Sequence, residues 1–348
     1  MQRINGLDFA RLLAFAGMVI VNFQVVMTSA DVANFGLFND ILVLFEGKAA
    51  ATFVVLAGIG TTYAYQRDKR ENFGTSMLKR ALFLLVIGLL NMTIFSADII
   101  HYYAFYFLIG LWLLPLSKRL LLVITAAIIL AFPVLVVLFN YDAGWNWSTL
   151  SYLDFWTPLG FARNLMFNGW HPIIPWLAFF SFGVFLAKTD LTCKANAWRL
   201  VGVGAIGVIA IPLLSKLLIS VMTPIAGTKI ATILSTSPIP PGPLYMLNGI
   251  CAAILVIGLC LLLPSTVFQN TFIKTLCRTG QMALTLYFAH IVIGMGIIDA
   301  LGLVSSTTAL GAFWAANCFV AASIVFTYVW RTRFRRGPIE ELMRLLTK

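Results

Sequence analysis

The chain is built around apolar segments that are each long enough to cross a lipid bilayer. The hydrocarbon core of a bilayer is about 30 Å thick, so a spanning helix needs about 20 mostly apolar residues. Segments of this kind lie at roughly 7–27, 41–66, 76–95, 98–117, 120–139, 172–188, 198–219, 244–264, 281–304 and 309–330. They predict an all-α polytopic membrane protein, a bundle of about ten transmembrane helices.

The charged residues are few and lie mostly at one end of these helices. They make up 11% of the 348 residues, whereas a soluble domain carries about a quarter. If the N-terminus is cytoplasmic, 19 of the 24 lysines and arginines lie on the cytoplasmic face. Basic residues favour that face, so we predict that both termini are cytoplasmic. The same distribution explains the net charge of +11 without a nucleic-acid partner.

The loops leave no room for a soluble domain between the helices. We therefore expect a membrane domain at 1–330 and a basic amphipathic tail at 331–348 on the cytoplasmic surface. The outer loop 140–171 is rich in aromatic residues, namely Trp145, Trp147, Tyr152, Phe155, Trp156 and Trp170. These residues suit either an interfacial belt or a platform for a sugar or a lipid headgroup.

The first apolar segment carries three polar residues. Asp8 and Arg11 are three residues apart, so they share a helix face and can pair with each other. Asn22 follows eleven residues later, about three turns and about 16 Å further along the same face. Polar groups at such depths are costly and usually mark a function or a partner. The alternatives are a self-neutralising pair and a polar path that a substrate meets.

Further polar residues lie in the outer part of the membrane. Glu46 and Lys48 flank Gly47 and are two residues apart, so they face different neighbours or a cavity. Asp98 and His101 are three residues apart on one face, which favours a structural pair. We expect these residues to line the substrate path together with Asp8, Arg11 and Asn22, whereas no metal site is expected.

The three histidines of the chain all lie in or beside apolar segments, which makes them candidate general bases. His171 is the preferred base because it is expected at the outer surface beside Trp170, at a helix start stiffened by Pro172 and Pro175. His290 is expected near the middle of the membrane and would need a deep cavity. Glu46 is a further candidate.

Several of these segments together resemble the transmembrane acyltransferase superfamily. "LDFARLLAFAGMVIVN" is similar to its first helix, and "LYFAH", which holds Tyr287 and His290, is similar to a Tyr-x-x-His pattern of the type-three acyltransferases. "FEGKAAATFVVLAGIG", "DIIHYYAFYFLIGLWLLPL" and "GPIEELMR" resemble the YeiB-like bacterial branch. "HPIIPWLAFFSFGVFLAK" resembles the bacterial relatives of heparan-α-glucosaminide acetyltransferase.

The resemblance implies an acyl transfer across the bacterial cytoplasmic (inner) membrane. The donor would be cytoplasmic acetyl-CoA, a co-substrate, and the acceptor an outer glycan or lipid-linked molecule of the cell envelope. Asp8 and Arg11 would organise the donor mouth, where Arg11 with Arg80 or Lys79 could bind the phosphates. Tyr287 would also contact substrate.

The chain differs from both families in the residue expected to act as catalytic base. In the type-three acyltransferases the position of Asn22 is a catalytic histidine, and in the heparan branch a histidine of the next outer loop serves. That loop, 28–40, contains no histidine here. His171, His101 or His290 would have to act instead.

Two other functions remain open on the sequence. A transporter or lipid-handling protein could use the same path without chemistry, and it would need a central site with alternating access. An accessory subunit of an envelope complex would need neither a base nor a cavity. Any of these proteins could also assemble as a homo-oligomer.

Overall fold

The computed structural model describes residues 3–28, 46–67 and 73–347, and these ranges are mostly helical. The helices are α1 (Asn5–Met27), α2 (Lys48–Arg67), α3 (Phe73–Met92), α4 (Ile100–Leu113), α5 (Lys118–Leu138), α6 (Pro158–Arg163), α7 (Ile173–Ala187), α8 (Lys194–Ala226), α9 (Lys229–Leu234), α10 (Pro243–Leu262), α11 (Thr271–Gln281), α12 (Ala283–Ala289), α13 (Gly296–Ala300), α14 (Ala309–Trp330) and α15 (Pro338–Leu346). A π-helical segment, Asn164–Asn168, extends α6, and another, His290–Met295, joins α12 to α13.

Most of the expected membrane helices are present in the described residues. Seven segments are long and apolar enough to cross a bilayer, and the bent pair Pro158–Asn168 and Ile173–Ala187 would add an eighth. The helix α4 is apolar but has only 14 residues. The prediction of an all-α polytopic membrane protein is thus confirmed, whereas ten crossings remain a prediction. Residues 41–45 of the second predicted segment lie outside the described residues.

The helices α1, α2, α7 and α10 form the centre of the bundle, where α2 packs against the other three. Its contact with α7 depends on two glycines. A Cβ atom at Gly58 would collide with the carbonyl of Phe180, and one at Gly183 would collide with the carbonyl of Val55. Small residues allow membrane helices to approach this closely, which fixes the backbones against each other.

The outer helices expose apolar side chains. The helix α8 packs along α10, but Ile206, Ile209 and Leu213 on its other face are exposed. A helix that is apolar all round is typical of a membrane span. This surface is therefore suited to contact with lipid.

The segment 140–171, the outer loop of the sequence analysis, has secondary structure of its own. It contains a two-stranded antiparallel sheet, β1 (Trp145–Asn146) with β2 (Ser151–Tyr152), followed by α6. The Thr157 side chain accepts a hydrogen bond from the Gly160 N–H, and Pro158 occupies the first turn, so this pair starts a helix. This capping signal, and with it the helix α6, was not recognised in the sequence.

The chain then bends by 51° before α7. Ile174 has an extended conformation (φ −104°, ψ 114°) within the start of α7. It precedes Pro175, whose ring disfavours the helical conformation of the preceding residue. The break leaves His171 between two helical segments, where its side chain is only partly covered.

Candidate functional site

Three cavities follow one another between the arginine-rich end of the bundle and the end with the aromatic segment. The arginine pocket, about 400 Å³, is lined by Arg3, Arg80, Gln281, Arg331, Arg335, Arg336, Glu340, Met343 and Arg344. The basic cavity, about 320 Å³, has a wall that includes Arg3, Arg11, Arg80, Tyr103, Gln281 and Tyr287. The aromatic cavity, about 110 Å³, has a wall that includes Asn22, Glu46, Trp170, His171, Trp176 and Tyr287.

Neighbouring cavities share parts of their walls. The arginine pocket and the basic cavity have five residues in common: Arg3, Arg80, Gln281, Glu340 and Met343. The basic cavity and the aromatic cavity have two in common, Ile99 and Tyr287. A row of neighbouring cavities therefore extends from the arginines to His171, and Ile99 and Tyr287 stand between the basic cavity and the aromatic cavity.

Asp8 is the buried centre of an ion network at the arginine-rich end. Its carboxylate accepts hydrogen bonds from Arg3 (2.6 Å), Arg11 (2.6 Å) and Gln281 (3.0 Å). The side chain of Asp8 is 2% exposed. A Cβ atom at Gly280 would collide with the Asp8 carbonyl, so this glycine lets α11 lie directly on α1. Asp8 therefore holds Arg11 in the wall of the basic cavity and does not itself line that cavity.

The tail helix α15 covers the arginine pocket. Glu340 accepts hydrogen bonds from the backbone N–H groups of Leu284 (2.9 Å) and Thr285 (3.1 Å), and from the Thr285 hydroxyl. Burial raises the pKa of the Glu340 carboxyl. The tail is thus attached to the start of α12, and its arginines join Arg3 and Arg80 around one cavity.

The four tail arginines of this pocket are site residues that sequence analysis missed. Their run, "RTRFRR" followed by Arg344, was explained by membrane orientation alone. Of the two predicted donor-binding residues near residue 80, Arg80 lines both the basic cavity and the arginine pocket. The side chain of Lys79 is instead exposed at the surface.

Asn22 and His290 form a hydrogen-bonded pair at the aromatic cavity. The His290 Nδ1 lies against the Tyr287 carbonyl, which can only accept, so Nδ1 carries the proton of the neutral ring. The other nitrogen, Nε2, then accepts from the Asn22 amide at 3.0 Å. Asn22 lines the cavity, whereas His290 is fully buried behind it. Both ring nitrogens of His290 are therefore occupied.

His171 differs from His290 in having an unpaired nitrogen. Among the described residues, no hydrogen-bond partner meets its buried Nδ1 atom, nor the buried Nε1 atoms of Trp170 and Trp176. All three side chains line the aromatic cavity. The Tyr106 hydroxyl holds the backbone of His171 by donating to its carbonyl at 2.6 Å. Unpaired buried polar atoms are rare in proteins, and three residues that carry one meet at this cavity.

Asp98 and His101 form the predicted pair. The His101 Nδ1 lies 2.9 Å from the Asp98 carboxylate, and the Asn91 amide donates to the other carboxylate oxygen at 2.8 Å. Both side chains of the pair are fully buried. Neither residue is part of the walls of the three cavities. The geometry therefore separates them from the substrate path that sequence analysis predicted.

The segment Glu46–Lys48 lies beside the aromatic cavity. Glu46 and Gly47 line this cavity, whereas Lys48 does not. Gly47 has a φ of +70° and lies against the hydroxyl of Tyr245, which donates to the Gly47 carbonyl at 3.2 Å. This conformation favours glycine.

The aromatic residues of 140–171 pack mostly against each other. Trp145 is buried between Trp147, at 4.5 Å between ring centroids, and Trp170, at 5.2 Å. Trp156 points outward and is 67% exposed. Trp170 alone of the six predicted platform residues lines the aromatic cavity. The stacked rings thus support Trp170 from behind, and Trp156 is placed like a residue of an interfacial belt.

Two family models match the chain, one over its N-terminal part and one over its C-terminal part. The family model described as heparan-alpha-glucosaminide N-acetyltransferase, catalytic, matches residues 3–210. A second family model, described as protein of unknown function (DUF418), matches residues 186–348. No curated protein and no solved structure matches the chain significantly. The first match contains α1 to α7 and with them His171 and Asn22, whereas Tyr287, His290 and the tail arginines lie in the second.

Proposed function

Because the chain belongs to the family of heparan-α-glucosaminide N-acetyltransferase catalytic domains, within the transmembrane acyltransferase superfamily, we propose that it transfers an acetyl group between two molecules bound at opposite ends of the bundle. The donor is acetyl-CoA in the arginine pocket and the basic cavity. The acceptor is a hydroxyl or amine, most simply of a sugar, in the aromatic cavity. The observation that carries the proposal is the row of cavities that joins these ends.

The charges at the donor end support a phosphate-bearing ligand. Six arginines surround the arginine pocket, and the carboxylates beside them are Asp8, Glu340 and Glu341. Arginine binds phosphate through paired N–H groups and keeps its charge at any physiological pH. The nucleotide part of coenzyme A would occupy the arginine pocket, and its pantetheine arm would extend through the basic cavity towards Tyr287.

The unpaired atoms at the other end support an acceptor that forms hydrogen bonds. The indole N–H groups of Trp170 and Trp176 are buried without a partner among the described residues, and the ring faces of tryptophan suit apolar sugar faces. His171 would remove the proton of the attacking group, because its side chain lines the same cavity and is only partly covered. His290, with both nitrogens occupied, would position Asn22 instead.

The distribution of basic residues supports an orientation in which the arginine pocket is cytoplasmic and the aromatic cavity faces outwards. Cysteines placed at Arg119 and at Thr149, both exposed, test this orientation in intact bacterial cells. An impermeant thiol reagent should label position 149 and leave position 119 unlabelled. The reverse pattern would place the donor end outside and contradict the orientation.

The activity is tested with the full chain in lipid nanodiscs. Coenzyme A should bind in a calorimetric titration, and acetyl-CoA with methyl α-D-glucosaminide or a bacterial lipid extract should release free thiol together with an acetylated product. A protein that binds coenzyme A but releases no thiol with any acceptor would contradict acyl transfer. A protein that binds no coenzyme A would contradict the donor as well.

A further inference from the structure

Tyr287 lies at the junction of the basic cavity and the aromatic cavity. It lines both of them, and Ile99 is the other residue that does so. The two are joined by a hydrogen bond, in which the Ile99 backbone N–H donates to the Tyr287 hydroxyl oxygen at 3.2 Å. This pair therefore stands between the two cavities.

The backbone and the ring of Tyr287 also make contacts that hold the residue in place. Its carbonyl accepts from His290, and its ring meets the His290 ring edge-on, with the centroids 4.8 Å apart. The side chain is 4% exposed. The π-helical segment that begins at His290 follows directly, and such segments occur often at functional sites.

The hydroxyl proton of Tyr287 remains available for a ligand. A phenol can accept hydrogen bonds and donate one. The oxygen accepts from Ile99, and among the described residues no acceptor takes the Tyr287 proton. Because the two cavity walls meet at this residue, a thioester at the end of the basic cavity would place its carbonyl oxygen beside this donor.

We propose that Tyr287 is a catalytic residue, which donates a hydrogen bond to the carbonyl oxygen of the donor thioester as that oxygen becomes negative. This inference rests on the proposed acetyl transfer and adds the group that stabilises its transition state. A donor held in place before the reaction is worth about 10²- to 10³-fold in rate at comparable sites.

The step is a complete acyl exchange. The acceptor oxygen or nitrogen attacks the thioester carbon, its new bond forms, and the electron pair of the C=O bond moves to the oxygen beside Tyr287. His171 takes the acceptor proton. The C=O bond then reforms, the C–S bond breaks, and the sulfur takes the proton back from His171, so that free coenzyme A and the acylated acceptor leave.

The same pair of residues limits the size of the acyl group. Tyr287 and the Ile99 side chain stand at the entrance of a cavity of about 110 Å³. An extra methylene in a tight apolar site changes selectivity by about 10- to 200-fold. The wild-type protein should therefore favour acetyl-CoA over butyryl-CoA, and Ile99→Ala should raise the relative rate with butyryl-CoA about tenfold.

Tyr287→Phe is the decisive variant because it keeps the ring and removes the donor. In nanodiscs, kcat for acetyl transfer should fall about 10²- to 10³-fold while the affinity for coenzyme A stays within about twofold of the wild-type value. The matched control is Tyr328→Phe, the same change at an exposed tyrosine outside the three cavities, which should keep full activity. Unchanged affinity shows that the Tyr287→Phe protein is folded.

The outcomes separate the two proposals. If the wild-type protein transfers acetyl groups and Tyr287→Phe does so at a similar rate, the catalytic role of Tyr287 is wrong and acyl transfer stands. If the wild-type protein transfers none, both are wrong. A variant that loses coenzyme A affinity and rate together would assign Tyr287 to donor binding and overturn its role in the transition state.

Discussion

The two ends of the bundle differ in how their polar groups are paired. At the arginine-rich end, Asp8 is bonded to three side chains, and Glu340 accepts from three donors. At the aromatic end, His171, Trp170 and Trp176 each retain a buried polar atom without a partner in the described residues. The two carboxylates of the first end thus form a paired scaffold for the surrounding arginines. The second end keeps three residues with unpaired atoms at one cavity.

The largest effect is expected at the aromatic end. His171→Ala removes the proposed general base, and loss of such a group costs about 10²- to 10⁴-fold in rate. Acetyl transfer should nearly vanish, whereas coenzyme A affinity, measured by calorimetry, should be unchanged because the donor binds elsewhere. Near-normal turnover would shift the role of base to His290, and the variants His290→Ala and Asn22→Ala would then be the ones to lose activity.

A large effect on stability is expected at the arginine-rich end. Asp8→Ala would leave the partly buried Arg11 and Gln281 without the buried acceptor that they share. Removing one partner of a buried ion pair costs about 3 kcal/mol or more, and the partial exposure of Arg3 and Arg11 reduces this figure. A thermal melt in detergent should show a clear drop in Tm relative to Asp299→Asn, an exposed control. Equal melting temperatures would show that the network is not structural.

A moderate effect on donor affinity is expected from single arginines. Arg80→Ala removes one of six arginines around the arginine pocket and should weaken coenzyme A binding about tenfold. The neighbouring Lys79→Ala changes an exposed charge outside the cavities and should leave the affinity within about twofold. Calorimetry at two salt concentrations separates a direct contact with coenzyme A from long-range electrostatic attraction. An equal loss of coenzyme A affinity in both variants would indicate only long-range attraction.

The smallest effect is expected from the attachment of the tail. Glu340→Ala removes three hydrogen bonds at the start of α12, whereas the exposed Glu341 pairs only with Arg336 and Arg344 among the described residues. Loss of buried hydrogen bonds of this kind costs about 1–3 kcal/mol. Trypsin should therefore cut the 331–336 segment faster in Glu340→Ala than in Glu341→Ala. Similar cutting rates would show that other contacts hold the tail.

The sequence predicts the parts of this molecule that depend on local periodicity. Apolar runs locate the helices, and the three-residue spacings of Asp8 with Arg11 and of Asp98 with His101 predict real pairs. The spacing rule cannot detect the contact of Asn22 with His290, because 268 residues separate them. It also cannot distinguish a π-helical turn from an α-helical one at His290, since both are equally apolar.

Two other features were missed because another explanation of the same residues was sufficient. The tail arginines agree with the positive-inside rule, which hid their convergence with Arg3 and Arg80 on one pocket. The aromatic composition of 140–171 suggested either an interfacial belt or a surface platform. The fold instead buries Trp145 and turns only Trp170 into the cavity, which depends on the sheet and on α6.

The glycine contact between α2 and α7 has a consequence for how this protein could evolve. With Gly58 and Gly183 holding two backbones together, neither helix can slide or swing without losing the contact. A new substrate therefore cannot be accommodated by a gradual widening of the bundle. Diversification would proceed by exchanging individual wall side chains within a constant frame, and relatives with different substrates should keep this crossing while their cavity residues differ.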